Sequence, residues 1–220
     1  MSFVDGEVRV RVPATSANLG PGFDALGLAL TLFDEITASV IEAGIEIVVD
    51  GEGADLVPTG EDHLVYQAMA AAFDLLGETP PGVRLVCTNR IPHGRGLGSS
   101  SAAIAAGIIA ARALVVGGED RLDAGAVYQL ATDLEGHPDN VAPALRGGFT
   151  IAWISGAAAE VERLDINHDV TVFVPPSAVS TKAARGLLPE MVPFGNAGAN
   201  VCRSALISAP LLEPADPLVF

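Results

Sequence analysis

A glycine- and serine-rich segment in the middle of the chain has the strongest chemical character. It follows an apolar, strand-like run at 83–91 and leads into an apolar stretch at 102–116 that predicts a buried helix. Glycines let the main chain approach a ligand, and the first N–H groups of a helix are unpaired at the positive end of its dipole. Such a segment suits phosphate groups, and serine hydroxyls can add hydrogen bonds or ligate Mg²⁺. We therefore predict these nucleotide-binding residues: Pro92, His93, Gly94, Arg95, Gly96, Leu97, Gly98, Ser99, Ser100, Ser101 and Ala102.

The segment differs from the two common phosphate-binding motifs. A P-loop has a lysine directly after its glycines, and the single lysine of this chain is Lys182. The spacing also differs from a Rossmann fingerprint followed by an acidic residue for the ribose. An ordinary turn with a serine helix cap is the simpler alternative, but one serine suffices for a cap and this segment has three consecutive serines. We therefore favour a phosphate-binding loop.

Two polar residues, Asn18 and Asp24, flank a tight turn at 20–22. A carboxylate and an amide suit a small amino alcohol, with Asp24 binding the ammonium group and Asn18 a hydroxyl or carboxylate. Asn and Asp in turns also bond their own backbone, and that alternative stays equally open from the sequence.

A second polar cluster, His137, Asp139 and Asn140, lies in a short segment stiffened by Pro138. His137 can donate to a substrate carboxylate, although a single histidine beside a proline is more often structural. We expect Asp139 to cap the helix that follows.

Composition and charge exclude several classes of protein. The chain has 12 basic and 27 acidic residues and a net charge of −15. This argues against nucleic acids and anionic membranes, which proteins bind through clustered lysine and arginine. The charge-free stretch 96–111 is shorter than the roughly 18–20 apolar residues of a membrane span. Residues 1–11 lack the apolar core of a secretory signal, so we expect a cytoplasmic protein in which Cys87 and Cys202 are buried thiols.

Alternating strand and helix patterns predict an α/β or α+β fold. The predicted strands are 8–12, 26–40, 45–49, 83–91, 149–154 and 170–174. The predicted helices are 64–76, 102–116, 122–134, 141–145, 180–188 and 199–208. A shift to glycine and alanine at 155–159 indicates a boundary between two domains, 1–157 and 158–220.

Four ordered motifs resemble those of the GHMP kinases. The loop PHGRGLGSSSA at 92–102 is similar to the family's ATP-phosphate loop. PATSANLGPGFDALG at 13–27 and EGHPDNVAPA at 135–144 resemble the homoserine kinase branch in particular, and STKAAR at 180–185 is a fourth match. The likeness extends from about residue 8 to about residue 206.

The resemblance implies an α+β GHMP-kinase fold. Residues 1–157 would form the ATP-binding domain, an α/β domain like domain 2 of ribosomal protein S5. Residues 158–220 would begin a ferredoxin-like α+β domain. Homoserine kinases continue to a glycine-rich Ser-Gly-x-Gly-Pro motif, and none follows Asn196. We therefore expect the second domain to be incomplete.

The implied activity is ATP- and Mg²⁺-dependent phosphorylation of the L-homoserine hydroxyl to O-phospho-L-homoserine, a step of threonine biosynthesis. Many kinases of the superfamily have a basic aspartate where this chain and homoserine kinases have an asparagine, Asn140. An amide is not a base near neutral pH, so the likeness implies direct in-line transfer. The implied catalytic residues are Asn140, Ser100 and Arg185. The implied substrate-binding residues are Asn18, Asp24, His137, Asn140, Thr181 and Arg185.

The expected Mg²⁺ ligands are a serine hydroxyl and a carboxylate. Ser101 or Ser100 would supply the hydroxyl, and Glu135, with Asp133 as second choice, the carboxylate. A solvated helix-end carboxylate is the alternative for either acid. The likeness also places 61–65 near the adenine or ribose.

Three other functions remain open at this point: a mevalonate-type GHMP kinase, which Asn140 disfavours, a truncated nucleotide-binding protein without catalysis, and a purely structural interaction module. The expected partners are L-homoserine and ATP alone, and a homodimer is left open.

Overall fold

The computed structural model describes residues 2–166, 168–177 and 185–211. These residues form a mixed six-stranded sheet and the helices that pack with it. The strands are β1 (Glu7–Ala17), β2 (Leu26–Val40), β3 (Gly44–Gly51), β4 (Gly82–Asn89), β5 (Phe149–Ser155) and β6 (Ala158–Leu164). The helices of the described residues are α1 (Leu64–Leu76), α2 (Ser99–Leu114), α3 (Gly118–Arg121), α4 (Ala124–Glu135), α5 (Pro138–Arg146) and α6 (Phe194–Leu211).

The long strand β2 is central because it pairs with three other strands. It runs antiparallel to β1, to β4 through its second half and to β5 through its first residues. β3 is parallel to β4, and β6 is antiparallel to β5. In β1 the predicted alternation is confirmed, with Val10 and Val12 in the core and Arg9 and Arg11 exposed.

The apolar helix α2 is buried, as its composition predicts. Ile104, Ile108 and Leu114 lie in the main core between α1 and the sheet. Gly107 allows α1 to approach, because a Cβ atom there would lie 2.4 Å from the Val65 carbonyl oxygen. This close packing fixes the axis of α2 and therefore the place of its N-terminus beside the end of β4.

The later part of the chain differs most from the predicted elements. The strand expected at 170–174 does not form: these residues have no regular secondary structure and no strand pairing to the described residues. The helix expected at 180–188 lies largely outside the described residues, whereas the helix expected at 199–208 is part of α6. The unpredicted strand β6 pairs with β5 along its whole length, so the chain crosses position 157 inside a hairpin. The division into 1–157 and 158–220 stays a prediction.

The two cysteines differ in exposure. Cys87 is buried, as expected, and burial raises the pKa of its thiol to about 12. The expectation that Cys202 is buried was wrong, because it lies exposed on α6. Among the described residues, no helix is both long and apolar enough to cross a membrane.

Candidate active site

The glycine–serine segment forms the loop between β4 and α2 and the first turn of α2. Gly98 precedes the helix with φ +66°, and no side chain caps the helix start. The first helical hydrogen bond runs from Ala102 N to Gly98 O, at 2.9 Å. The N–H groups of Ser99, Ser100 and Ser101 are therefore left for a ligand, an arrangement that suits phosphate oxygens. The helix begins three residues before the predicted start because the serines form its first turn.

Gly98 brings this loop into direct contact with two other motifs. A Cβ atom at Gly98 would lie 2.0 Å from Thr15 Oγ1 and 3.0 Å from Asn140 Oδ1. The Thr15 hydroxyl donates to Asn140 Oδ1 at 2.8 Å. The end of β1, the loop and the start of α5 thus meet at one point.

Glu135 faces the serines at the start of α2. Ser100 and Ser101 both donate to Glu135 Oε1, at 2.7 and 2.8 Å, and the glutamate side chain is only 9% exposed. Asp133 instead accepts from Gln129 in an exposed contact. The structure therefore brings Ser101 and Glu135 together and leaves Asp133 aside.

This group is small for a metal centre. The described residues contain no cluster of three or more His, Cys, Asp or Glu side chains able to hold a metal. One carboxylate and one hydroxyl match the few protein ligands of Mg²⁺ in nucleotide sites, where phosphates and waters complete the shell.

Asp139 is fully buried, and its carboxylate bonds to several neighbours instead of forming the expected N-cap of the helix. His137 is the N-cap residue of α5, and Asp139 lies in the first turn. Asp139 Oδ1 lies 2.5 Å from His137 Nδ1 and accepts from Asn140 N at 3.0 Å. The hydrogen bond that the protonated His137 ring donates to the Asp139 carboxylate raises the pKa of His137, against the effect of burial. His137 Nε2 lies 4.0 Å from Glu135 Oε1.

Asn18 is occupied by contacts within the protein. Its Oδ1 accepts from Asp24 N at 2.9 Å, and its Nδ2 donates to Asp139 Oδ2 at 2.8 Å. Both Asn18 and Asp24 have positive φ, 56° and 55°, which Asn and Asp tolerate better than most residues. The hydrogen bonds of turn chemistry are therefore present at Asn18, together with a bond to the buried Asp139 carboxylate. The substrate contact of Asn18 stays a prediction.

Asp24 and Arg185 form a bidentate ion pair. The guanidinium donates to Asp24 Oδ2 at 3.1 Å and to Oδ1 at 2.5 Å. Its carbon lies 5.5 Å from the centre of the Phe23 ring. These two predicted substrate-binding residues are therefore neighbours, although 161 positions separate them. Thr181, also predicted to bind substrate, lies outside the described residues.

A cavity of about 250 Å³ lies beside the first turn of α2. His63 lines it, is only 5% exposed, and has no hydrogen-bond partner for Nδ1 in the described residues. Burial lowers the pKa of His63, which favours a neutral ring. Other lining residues are Asp34, Val57, Pro58, Asp62, Asn89, His93 and Ser99.

The remaining residues of the loop take different directions. The Arg95 guanidinium donates to Pro175 O at 2.7 Å and so reaches the later part of the chain. His93 lies against Gly53 at the edge of the cavity, and Leu97 is buried. The other loop positions are Pro92, Gly94 and Gly96.

Sequence reasoning missed two residues of the site, Thr15 and Asp34. The buried Asp34 carboxylate accepts from Arg90 N at 2.6 Å and Ile91 N at 2.9 Å, which holds the start of the loop. Burial raises the pKa of Asp34 despite these bonds. An acidic residue in the long strand β2 could have signalled Asp34, although the neighbouring Glu35 gives the same signal, whereas Thr15 carries no such signal.

Comparison with known proteins gives a consistent result. The family model described as the GHMP kinases N terminal domain matches residues 63–148. The homoserine kinase of Streptomyces coelicolor is 56% identical over 94% of this chain and 67% of its own length. The homoserine kinase of Clavibacter michiganensis subsp. michiganensis is 53% identical over 96% of this chain and 68% of its own. The chain thus spans about two thirds of these relatives.

Solved structures agree in fold. The crystal structure of homoserine kinase from Cytophaga hutchinsonii is 27% identical with a TM-score of 0.77, over 96% of this chain and 69% of that one. Mevalonate kinase from L. major, at 15% identity and a TM-score of 0.57, covers 76% of this chain and 56% of its own, and shares the fold alone.

Proposed function

The chain belongs to the homoserine kinases of the GHMP kinase family, and we propose that it transfers the γ-phosphoryl group of ATP to the hydroxyl of L-homoserine. The products are O-phospho-L-homoserine and ADP. One observation supports the proposal above the others: the Asn140 side chain lies beside Gly98 at the uncapped start of α2 and accepts a hydrogen bond from Thr15. A phosphate donor and a hydroxyl acceptor bound at these two places would meet.

ATP would bind with its phosphates on the main-chain amides of 94–101. The nucleoside would occupy the adjacent cavity, where the neutral His63 ring offers a free nitrogen to a base or ribose. We propose residues 1–157 as the ATP-binding domain and 158–220 as part of the second.

Mg²⁺ would be held by Ser101 and Glu135. Both groups are hard oxygen donors, and they already lie within 2.8 Å of each other. The ion would neutralise charge on the β- and γ-phosphates and hold them in line.

L-Homoserine would bind between Asp24 and Arg185. Its ammonium group would pair with the Asp24 carboxylate and its carboxylate with the Arg185 guanidinium, so one internal ion pair would be exchanged for two with the substrate. His137, held in place by Asp139, would donate a hydrogen bond to the same carboxylate.

Transfer would proceed in line without a catalytic base. The homoserine oxygen forms a bond to the γ-phosphorus as the bond to the β–γ bridging oxygen breaks, and the hydroxyl proton passes to a phosphate oxygen or solvent. Asn140 would orient the hydroxyl, and the helix amides would stabilise charge on the phosphoryl oxygens.

The test is coupled ADP release with L-homoserine or mevalonate, together with ATP titration by calorimetry. Homoserine-dependent turnover is expected, and Arg185→Gln should raise the KM for homoserine by about tenfold or more. Arg203→Gln, an exposed arginine on α6, is the matched control and should leave KM unchanged. ATP binding without transfer to homoserine would refute the proposal and support a nucleotide-binding protein, whereas preference for mevalonate would support the other kinase.

A further inference from the structure

Thr15 is a fully buried residue at the junction of the site. It follows the irregularity in β1 pairing between positions 13 and 15. Its main-chain N–H donates to Leu97 O at 3.0 Å, which ties β1 to the glycine loop. Its hydroxyl donates to Asn140 Oδ1 at 2.8 Å, which ties the loop region to α5.

The same hydroxyl also touches the loop directly. An added Cβ at Gly98 would meet Thr15 Oγ1 at 2.0 Å, closer than any other atom. The Thr15 hydroxyl therefore lies beside both the main chain of the loop and the Asn140 amide. Any shift of Thr15 would alter the spacing of these two groups.

A side-chain amide has one accepting and one donating end, and a hydrogen bond to one end fixes the direction of the other. The Thr15 hydroxyl engages Asn140 Oδ1. Within the described residues, no hydrogen bond occupies Asn140 Nδ2. The donating end is therefore the one left for a ligand.

We propose that Thr15 is a positioning residue, whose hydroxyl sets the orientation of the Asn140 amide against the phosphate loop so that Nδ2 donates to the oxygen of the reacting hydroxyl. This inference rests on the proposed function. Thr15 would thereby determine which end of the Asn140 side-chain amide faces the substrate. Thr15 itself would not contact the substrate.

Two substitutions separate the hydroxyl from the packing of Thr15. Thr15→Val keeps the shape and removes the hydroxyl, whereas Thr15→Ser keeps the hydroxyl and removes the methyl group. Thr15→Val should lower kcat by about tenfold to a hundredfold with KM for ATP changed less than about twofold, because positioning and not binding is lost. Thr15→Ser should recover most of kcat. Thr150→Val, which removes an equally buried hydroxyl bonded to Gly27 O, is the control and should keep kcat.

A spectroscopic readout makes the test independent of turnover. The side-chain amide signals of Asn140 are assigned by their loss in Asn140→Asp, and they should shift on saturation with ATP in the original chain and in Thr15→Ser. In Thr15→Val they should differ in position before ATP is added and respond weakly to it. Unchanged amide signals in Thr15→Val, or equal losses of kcat in both Thr15 variants, would overturn the inference. Absence of all homoserine turnover would refute the proposed function, and the amide signals would still decide the role of Thr15.

Discussion

Two glycines of the phosphate loop offer a sharp test of how the loop is packed. Gly96 and Gly98 have similar left-handed backbones, with φ of +73° and +66°. A Cβ at Gly96 would have no atom within 4 Å, whereas one at Gly98 would overlap Thr15 and approach Asn140. Alanine at either place carries the same backbone strain, so the difference between the two variants isolates the contact.

The expected magnitudes follow from these two contributions. A left-handed alanine costs roughly 1–2 kcal/mol, which is the whole effect expected of Gly96→Ala. Gly98→Ala adds an overpacking cost of about 1–3 kcal/mol, because its nearest neighbour belongs to a buried side chain. We therefore expect Gly98→Ala to lower the free energy of unfolding by about 2–5 kcal/mol. It should also weaken ATP binding by about tenfold, through displacement of the helix start.

Urea unfolding and calorimetric titration with ATP measure both effects. Combining Gly98→Ala with Thr15→Ala should recover part of the lost stability, since the atom at 2.0 Å is removed and the next contacts are at 3.0 and 3.2 Å. Equal losses of stability and ATP affinity in Gly96→Ala and Gly98→Ala would refute the packing argument.

Three further predictions concern charged groups. The Asp139 carboxylate raises the pKa of His137, so the pair of residues stabilises the folded state when His137 is protonated. This contribution to the free energy of unfolding is complete below pH 6.5 and is lost as the pH rises through the folded-state pKa of His137. His137→Gln should flatten this fall in unfolding free energy, and an unchanged slope would contradict it. Glu135→Gln should raise the Mg²⁺ concentration for half-maximal ADP release by about tenfold or more, whereas Asp133→Asn should not; equal shifts would reject Glu135 as the ligand. Burial raises the pKa of Asp34, so the folded state binds the proton of this carboxyl more tightly than the unfolded state does. The original chain should therefore lose free energy of unfolding relative to Asp34→Asn as the pH rises above 3.8. Urea unfolding of both chains at pH 4 and 7 measures this difference. A difference independent of pH would count against that reasoning.

The sequence predicts the phosphate loop because its signal is local. Glycines and serines between a strand and an apolar helix have few other uses, and the family likeness adds order to the motifs. The predicted start of α2, residue 102, was wrong by three residues. Serine at the first helical positions cannot be told from serine before the helix by sequence alone.

The contacts that depend on tertiary packing are not predictable in the same way. The sequence favours Glu135 over Asp133 only as a first choice, whereas the packing of α4 against the start of α2 brings Glu135 to the serines and leaves Asp133 in an exposed contact. The sequence does not predict the hydrogen bond from the Asn18 amide to the buried Asp139, because 121 positions separate the two residues. Thr15 escaped notice because a threonine in a strand usually signifies no more than β-propensity.

The acidic composition raises the question of which positive groups would bind an anionic ligand. Three cationic side chains near the site already have partners within the protein. Arg95 donates to Pro175, Arg185 pairs with Asp24, and His137 is bonded to Asp139. Positive potential for the phosphates must then come from the uncapped N-terminus of α2 and from a metal ion, which do not depend on net charge. A chain with a charge of −15 can therefore bind a triphosphate without a basic surface, provided that the loop keeps its main-chain amides directed at one point.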